Sequence, residues 1–450
     1  MVLAVVLVLL VLGTVLFHVL SPWWFTPIAS NWVMMDHTVN LTFWVTGVVF
    51  VIVNLFMAYV IVRYRHGRVQ RAEYEPENKK LEWWLTIVTT AGIIALLAPG
   101  LVVWAKFVTV PDGAALVEVV GQQWNFSYRF PGADGTLGRS DPALASPDNP
   151  LALDPEDPQG QDDIVVSGSE LHLPVNKSVK VELRALDVLH QFAVPPFRVK
   201  MDMVPGMVTY FWLKPTRTGT FDALCEQLCG MAHYAMRGRV VVDSAEDFRA
   251  WLGRQPTFAQ VRAEAPGDPV AGQAAYAVCS ACHGPQGEGN AQLNAPKLAG
   301  QAGWYLARQL RSFKQGLRGR AEQDPIAGQM APMAATLADD AAIRNVVAYI
   351  GTLPDAAPPA TVRGDAARGQ ALYATCAACH GASGQGVWST NAPRLAHMSD
   401  WYLKRQLENF RHGLRGAHPQ DFNGAQMAAM ARSLADEQAV SDVVAHIDAL

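Results

Sequence analysis

The sequence predicts a multi-domain, membrane-anchored chain: apolar helices first, then a small β-sandwich or barrel, then two small helical domains related by duplication. Three observations carry this. Apolar residues reach 50% of the 450-residue chain and charged ones only 17%, against roughly 25% charged in an average soluble protein, and the long apolar runs all precede residue 108. Between residues 165 and 242, short strand-like runs such as Val179 to Leu183 and Gly238 to Val242 alternate with Gly, Pro and Asp turns. From residue 269 onward the same text occurs twice at one offset. The length accommodates about three domains. The expected divisions are a transmembrane anchor over 1–110, a β domain over 111–253, and helical domains over 269–354 and 362–450.

Three apolar runs, Val2 to Leu20, Leu41 to Val62 and Trp83 to Ala105, are long enough to span a bilayer, which takes about twenty apolar residues as a helix. The second and third contain no Asp, Glu, Lys or Arg. Between them Arg63, Arg65, Arg68, Arg71, Lys79 and Lys80 crowd into a short loop, and such positive charge marks the cytoplasmic side. Everything after Lys106 is then expected outside the cytoplasm. Trp44, Trp83, Trp84 and Trp104 sit near the ends of the runs, where amphipathic rings favour the headgroup layer. A leading apolar run can also be a cleaved secretory signal; no Lys or Arg precedes this one, and an uncleaved third helix is the preferred reading. A net charge of -4 with no long basic run argues against nucleic acid as a partner.

In the β domain a strand is expected over Val117 to Phe130, joined to the rest by a loop from Pro131 to Asp163 that carries no ligand pattern. All six cysteines fall in close pairs, which favours cofactor ligation over a disulfide framework. The first pair lies in Cys225-Glu226-Gln227-Leu228-Cys229-Gly230-Met231-Ala232-His233-Tyr234-Ala235-Met236, with His190 upstream. Thiolate, imidazole and thioether groups suit copper. Two thiolates on one loop can bridge two copper ions, each completed by one His and one weak ligand, of which one can be a backbone carbonyl. A Cys225–Cys229 disulfide and a zinc site are the alternatives.

With Asp187-Val188-Leu189-His190, Lys200-Met201-Asp202 and Val204-Pro205-Gly206, this loop resembles subunit II of cytochrome c oxidases over roughly residues 22 to 253. The resemblance implies a cupredoxin-like Greek-key β-sandwich holding the dinuclear copper centre CuA. Cys225 and Cys229 would bridge, His190 and His233 would be terminal, Met236 axial, and the carbonyl of Gln227 the last ligand. Gln123-Trp124-Asn125-Phe126-Ser127-Tyr128 is similar to the family's aromatic patch, which places Trp124 near the electron entry point; a core tryptophan is the competing reading. The family usually has Glu where this chain has Gln227. A neutral amide is a poorer ligand for a hard dication, which leaves the family's magnesium doubtful here.

Cys279-Ser280-Ala281-Cys282-His283 and Cys376-Ala377-Ala378-Cys379-His380 both read C-x-x-C-H. That spacing places two thiols one helical turn apart for thioether bonds to haem vinyl groups, with the adjacent His as proximal ligand. The same offset of 97 residues (376 minus 279) maps Asn294 to Asn391, Trp304 to Trp401 and Met330 to Met427, and Asn-Ala-Pro, Trp-Tyr-Leu, Arg-Gln-Leu and Gly-Leu-Arg-Gly recur at it. Met330 and Met427 are the expected axial ligands, with Met333 and Met430 as alternatives. The pair resembles cytochrome c4-like dihaem proteins, giving two all-α cytochrome c domains.

Together these features resemble a caa3-like oxidase subunit II fused to two cytochrome c domains. The expected activity is electron entry to a haem-copper terminal oxidase, a cytochrome c oxidase, of the bacterial plasma membrane. A periplasmic donor such as a cytochrome c reduces the haems, these reduce CuA, and CuA feeds subunit I, where haem a and CuB reduce oxygen to water. The spans lack the histidines for that last step, so partner subunits are required. A nitric oxide reductase and a stand-alone electron carrier are the rival readings.

Overall fold

In the computed structural model, residues 1–21, 26–65, 76–166, 168, 170–264, 266–320 and 324–450 are described. Arg68 and Arg71 of the basic loop lie outside them. Three long helices lead: α1 (Val2–Leu20), α2 (Val33–Arg63) and α3 (Lys79–Val108), each long and apolar enough to cross a membrane. Their side chains are bare, Trp44 at 74% exposure and Leu101 at 63% among them, as lipid-facing surfaces require. Both α2 and α3 run beyond the apolar text that marks them, and the extra turns at the start of α2 and the end of α3 pack against the β domain. Asp36 on the first turn of α2 forms a two-point ion pair with Arg198, at 2.7 and 3.0 Å. The Trp212 indole donates to the Lys106 carbonyl at the end of α3. The start of α2 and the end of α3 thus meet the β domain, which puts the basic loop at their far ends.

Among the described residues, the β domain holds ten strands: β1 (Ala115–Gln122), β2 (Asn125–Phe130), β3 (Ile164–Val165), β4 (Glu170–Pro174), β5 (Val179–Ala185), β6 (His190–Val194), β7 (Val199–Met203), β8 (Thr209–Leu213), β9 (Gly219–Leu224) and β10 (Arg237–Asp243). They form two sheets, ordered β3-β2-β1-β5-β8 and β4-β10-β9-β6-β7. Alternation drives the sandwich: Val117, Val119, Val181, Leu183 and Phe211 from one sheet meet Leu171, Phe192, Phe221, Val240 and Val242 from the other in one buried core. The single strand expected over Val117 to Phe130 is a hairpin instead, pairing Gln122 with Asn125. Its turn has no Gly or Pro. Distant groups fix it: the Gln123 N–H donates to Asp187, and the Trp124 indole donates to the Cys229 carbonyl.

Two short helices, α4 (Ala245–Leu252) and α5 (Phe258–Ala263), lead to the repeats. The first repeat comprises α6 (Pro269–His283), α7 (Gly303–Gln315), α8 (Pro325–Gly328), α9 (Met330–Ala335) and α10 (Asp340–Ile350). The second comprises α11 (Ala366–His380), α12 (Asp400–Arg411), α13 (Phe422–Ala431) and α14 (Glu437–Asp448). Asp268 and Asp365 cap the first helix of each repeat through a side-chain oxygen, and α6 begins with Pro269, which suits a first helical turn. That helix then crosses the last one at a glycine. A side chain at Gly369 would overlap the Asp442 backbone, as one at Gly272 would overlap Asn345. Gly369→Val is therefore expected to destabilise the C-terminal domain by about 1–3 kcal/mol through forced separation of packed helices. Faster amide exchange confined to α11 and α14 is the readout.

The duplicated text lies at the contact between repeats. Arg308 donates to the Asn391 side chain and carbonyl at 2.9 and 3.0 Å, and its counterpart Arg405 donates to Asn294 at 2.7 and 3.2 Å. Arg318 reaches Tyr402 and Gln406, while Arg415 reaches Tyr305 and Gln309. Each contact and its mirror differ by 97 in both partners, the signature of a pseudo-twofold interface.

Candidate copper and haem sites

The β9–β10 loop brings Cys225, Cys229, His233 and Met236 beneath His190, the first residue of β6. Among the described residues, the ligand atoms of His190, Cys225 and Cys229 lie within 4.8 Å of one another, all three side chains buried. The two sulfurs stand 3.7 Å apart and are not bonded. His233 Nδ1 is 3.5 Å and Met236 Sδ 3.9 Å from the Cys229 sulfur, and the Gln227 carbonyl is 3.2 Å from the Cys225 sulfur. The loop closes through a backbone hydrogen bond from Cys225 N to Met236 O. Gly230, at φ +116, permits this path, and a side chain there would strike Gln123 and Trp124.

His190 is fully buried. Its Nε2 lies 2.8 Å from Asp187 Oδ1, while its Nδ1 is buried without a hydrogen bond. A buried orphan nitrogen is costly. Assigning the proton to Nε2, as the Asp187 contact favours, leaves the Nδ1 lone pair turned to the two sulfurs, as a metal ligand requires. Burial pushes Asp187 up, but hydrogen bonds from His190 and from the Gln123 and Val188 N–H groups outweigh it and hold the carboxyl below its usual range. Burial likewise pulls His190 toward neutrality, and the Asp187 carboxylate and Cys225 sulfur reverse the direction. Cys225 is driven down chiefly by its hydrogen bond with Cys229, which is driven up in turn. Two thiolates this close would repel one another, so ionising both calls for a compensating cation. The residues present fit a soft, positively charged copper site.

In the repeats, each C-x-x-C-H occupies the last turn of α6 or α11, with both thiols free. His283 and His380 are each 6% exposed. His283 Nδ1 lies 2.7 Å from the Pro296 carbonyl and His380 Nδ1 2.8 Å from that of Pro393, so the proton belongs on Nδ1 and the Nε2 lone pair is left available to a metal. Burial lowers both histidines and keeps them neutral. Burial also raises the Cys376 and Cys379 thiols to about 11, unlike Cys225. A cavity bordered by Cys376, Cys379, His380, Leu407 and Phe410 opens beside α11, with Met427 and Met430 on its wall. Met427 packs against the Phe410, Ala428 and Ala431 cluster, whereas the Met430 sulfur takes a contact from the Tyr234 hydroxyl at 3.7 Å. In the first repeat Met333 is 37% exposed.

Sequence reasoning assigned no role to Asp187, the prolyl carbonyls, Gln426 or the Arg–Asn pairs. Their signals were present in part: Asp187 stands in the quoted Asp187-Val188-Leu189-His190, and the Arg–Asn pairs in the repeated Arg-Gln-Leu and Asn-Ala-Pro. Gln426 gave none, because its partners are backbone carbonyls of Trp124 and Ala235 in another domain.

A copper-type loop on a β-sandwich, anchored by apolar helices and followed by paired haem-attachment domains, defines a membrane electron-transfer protein. The model of the periplasmic domain of cytochrome c oxidase subunit II matches residues 115–245, and that of cytochrome c matches residues 269–354 and 366–450. The chain belongs to the cytochrome c oxidase subunit II family. It is 59% identical over 259 residues to an alternative cytochrome c oxidase subunit 2 of Bradyrhizobium diazoefficiens, covering 58% of this chain and 94% of that one. It is 30% identical over 226 residues to cytochrome c oxidase subunit 2 of Cereibacter sphaeroides, covering 46% and 74%. It is also 40% identical over 190 residues to a cytochrome c4 of Thiocapsa roseopersicina, covering 40% and 91%. These matches imply copper of the CuA type in the β domain and haem c in the helical ones.

Proposed function

We propose that this chain is the electron-entry subunit of a haem-copper terminal oxidase, taking electrons from a periplasmic donor such as a cytochrome c through two c-type haems and CuA to subunit I. The observation that carries the copper assignment is the buried His190–Cys225–Cys229 cluster with its unpaired imidazole nitrogen. Cys225, Cys229, His190, His233, Met236 and the Gln227 carbonyl would hold the copper pair. Cys279, Cys282, His283 and Met330 hold one haem; Cys376, Cys379, His380 and Met427 hold the other. When bound, the copper pair supplies a one-electron centre in which charge is shared between two ions.

The protein's own contribution is rigidity and direction. Asp187 fixes the His190 ring, the prolyl carbonyls fix the haem histidines, and close packing of the loop limits rearrangement as charge changes. The placement of the β domain at the start of α2 and the end of α3, opposite the basic loop, supports a multi-pass anchor with the metal domains on the periplasmic face. Oxygen reduction belongs to subunit I.

Metal and haem analysis of the detergent-purified complex, with a visible spectrum and haem staining after denaturation, tests the reading. Two coppers and two covalent haems per chain, with a-type haem and oxygen uptake in the complex, are expected. Covalent haem without copper would reduce the protein to a membrane dihaem cytochrome. Copper without oxygen uptake, in a complex whose large subunit holds another active-site metal, would assign it to a different reductase.

A further inference from the structure

Resting on that reading, we propose that the two haems act in a fixed order: the haem of the first repeat receives the electron, and the haem of the C-terminal repeat is the one that reduces the copper site, through Trp124. The C-terminal cavity touches both neighbours. Its lining takes Trp124 and Ala232 from the copper domain and Tyr305, Arg308 and Arg318 from the first repeat. It is therefore the middle station. Trp124 bridges the remaining gap: it borders this cavity, is 3% exposed, and its indole N–H donates to the Cys229 carbonyl at 3.0 Å. Gln426, next to Met427, donates to the Trp124 and Ala235 carbonyls and pins the two domains together. Cys379 packs onto the copper-domain core, and Phe422 lies under the Arg239 guanidinium.

Trp124 is thus covered by this chain's own C-terminal domain, so an external donor is excluded from that face. The repeat shows where the donor goes instead. The offset that maps the docked residues Cys379, Gln426 and Met430 onto the first repeat gives Cys282, Gln329 and Met333, all exposed. A face that in one repeat seats the copper domain is open in the other. Leu293, at 51% exposure, stands at the position equivalent to Thr390 on the C-terminal cavity wall. These four residues are uncharged, and Leu293 and Met333 are apolar, suited to transient docking of a redox protein with a similar patch around its own cofactor edge. In the downstream step one electron leaves the ferrous C-terminal haem, which becomes ferric, and enters the oxidised copper pair. The ferrous first haem then passes one electron to the ferric C-terminal haem, becomes ferric itself, and is reduced again by the donor. No proton or leaving group moves.

The test uses the whole detergent-purified complex, oxidised and held with cyanide, mixed rapidly with reduced soluble cytochrome c as the probe, while haem c and copper absorbances are followed separately. Met427→His, which lowers the potential of the C-terminal haem, is expected to leave electron uptake by the first haem at the native rate and slow copper reduction at least tenfold. Met330→His is expected to slow uptake itself. Two further variants carry the same contrast while leaving Met330 and Met427 in place: Gln426→Ala slows copper reduction severalfold at native uptake, and Met333→Glu slows uptake alone. A swapped pattern, or copper reduction indifferent to Met427→His and Gln426→Ala, overturns the order while leaving the relay intact. Metal analysis before mixing separates the other failure: a complex without copper overturns the relay reading and the order with it.

Discussion

Cys225→Ser is expected to bring the copper content of the purified complex to background while both covalent haems remain, and to stop electron delivery to subunit I. The serine oxygen is a hard ligand with little tendency to ionise, and it replaces one of two sulfurs held 3.7 Å apart in a buried loop. His190, His233 and Met236 cannot compensate, since copper would retain one soft anion where two are needed to balance its charge. The fold should survive. The sandwich core is built from residues such as Val119, Leu183, Phe192, Phe211 and Val240, and the copper loop closes one end of it. Metal analysis and the near-infrared copper band read the loss, and haem staining reads the two haems. Unchanged copper in Cys225→Ser would sink the ligand assignment.

What the sequence revealed of this site was its chemistry; what it concealed was its surroundings. Ligand atoms on one short loop, or in one helical turn, announce themselves by spacing, and the Cys225 to Met236 text and both C-x-x-C-H motifs were legible for that reason. The repeat was legible because duplication preserves register over 97 residues. The turn at Gln123–Trp124 was not, because nothing local bends the chain there; Asp187 and Cys229, some 64 and 105 residues away, do. The Arg308 and Arg405 contacts were visible as repeated text yet silent as to purpose, since a single chain read linearly does not say that two copies face each other. The middle position of the C-terminal haem site belongs to the same class of fact. It depends on which of two nearly identical units touches Trp124, and the discriminating residue, Gln426, is matched by Gln329 in the other repeat.

The loop from Pro131 to Asp163, without any ligand pattern, covers the outer face of the first sheet, and Arg129→Met is expected to show what holds it there. Glu118 and Arg129 pair across β1 and β2 on the face opposite the sandwich core, beneath Leu151 and Leu153. Arg129 donates to Glu118 and to Asp163 at 2.5 Å each, and Arg184 donates to Glu118 at 2.7 Å. Glu118, Arg129 and Asp163 are 3%, 2% and 0% exposed, so two buried carboxylates are balanced by two guanidinium groups. Removing one partner of a buried pair costs about 3–5 kcal/mol, because the other is left charged in low dielectric. Asp163 sets the pH dependence. Burial already lifts its pKa to about 6, against the opposing pull of Arg129, and an unfolded Asp sits near 3.9. A carboxyl raised on folding weakens the fold once ionised, and that penalty is relieved as pH falls through the folded value. Without Arg129 the folded value rises further and the penalty grows, so the deficit of the variant should be larger at pH 7 than at pH 5. Glu118 works in the opposite direction, being held low by Arg129 and Arg184 once they outweigh burial, but its titration lies below this window. Denaturant unfolding of the intact chain, followed through the copper absorption at both pH values, measures the difference. An equal deficit at both would mean that packing of the loop, rather than the Asp163 charge, is what Arg129 secures.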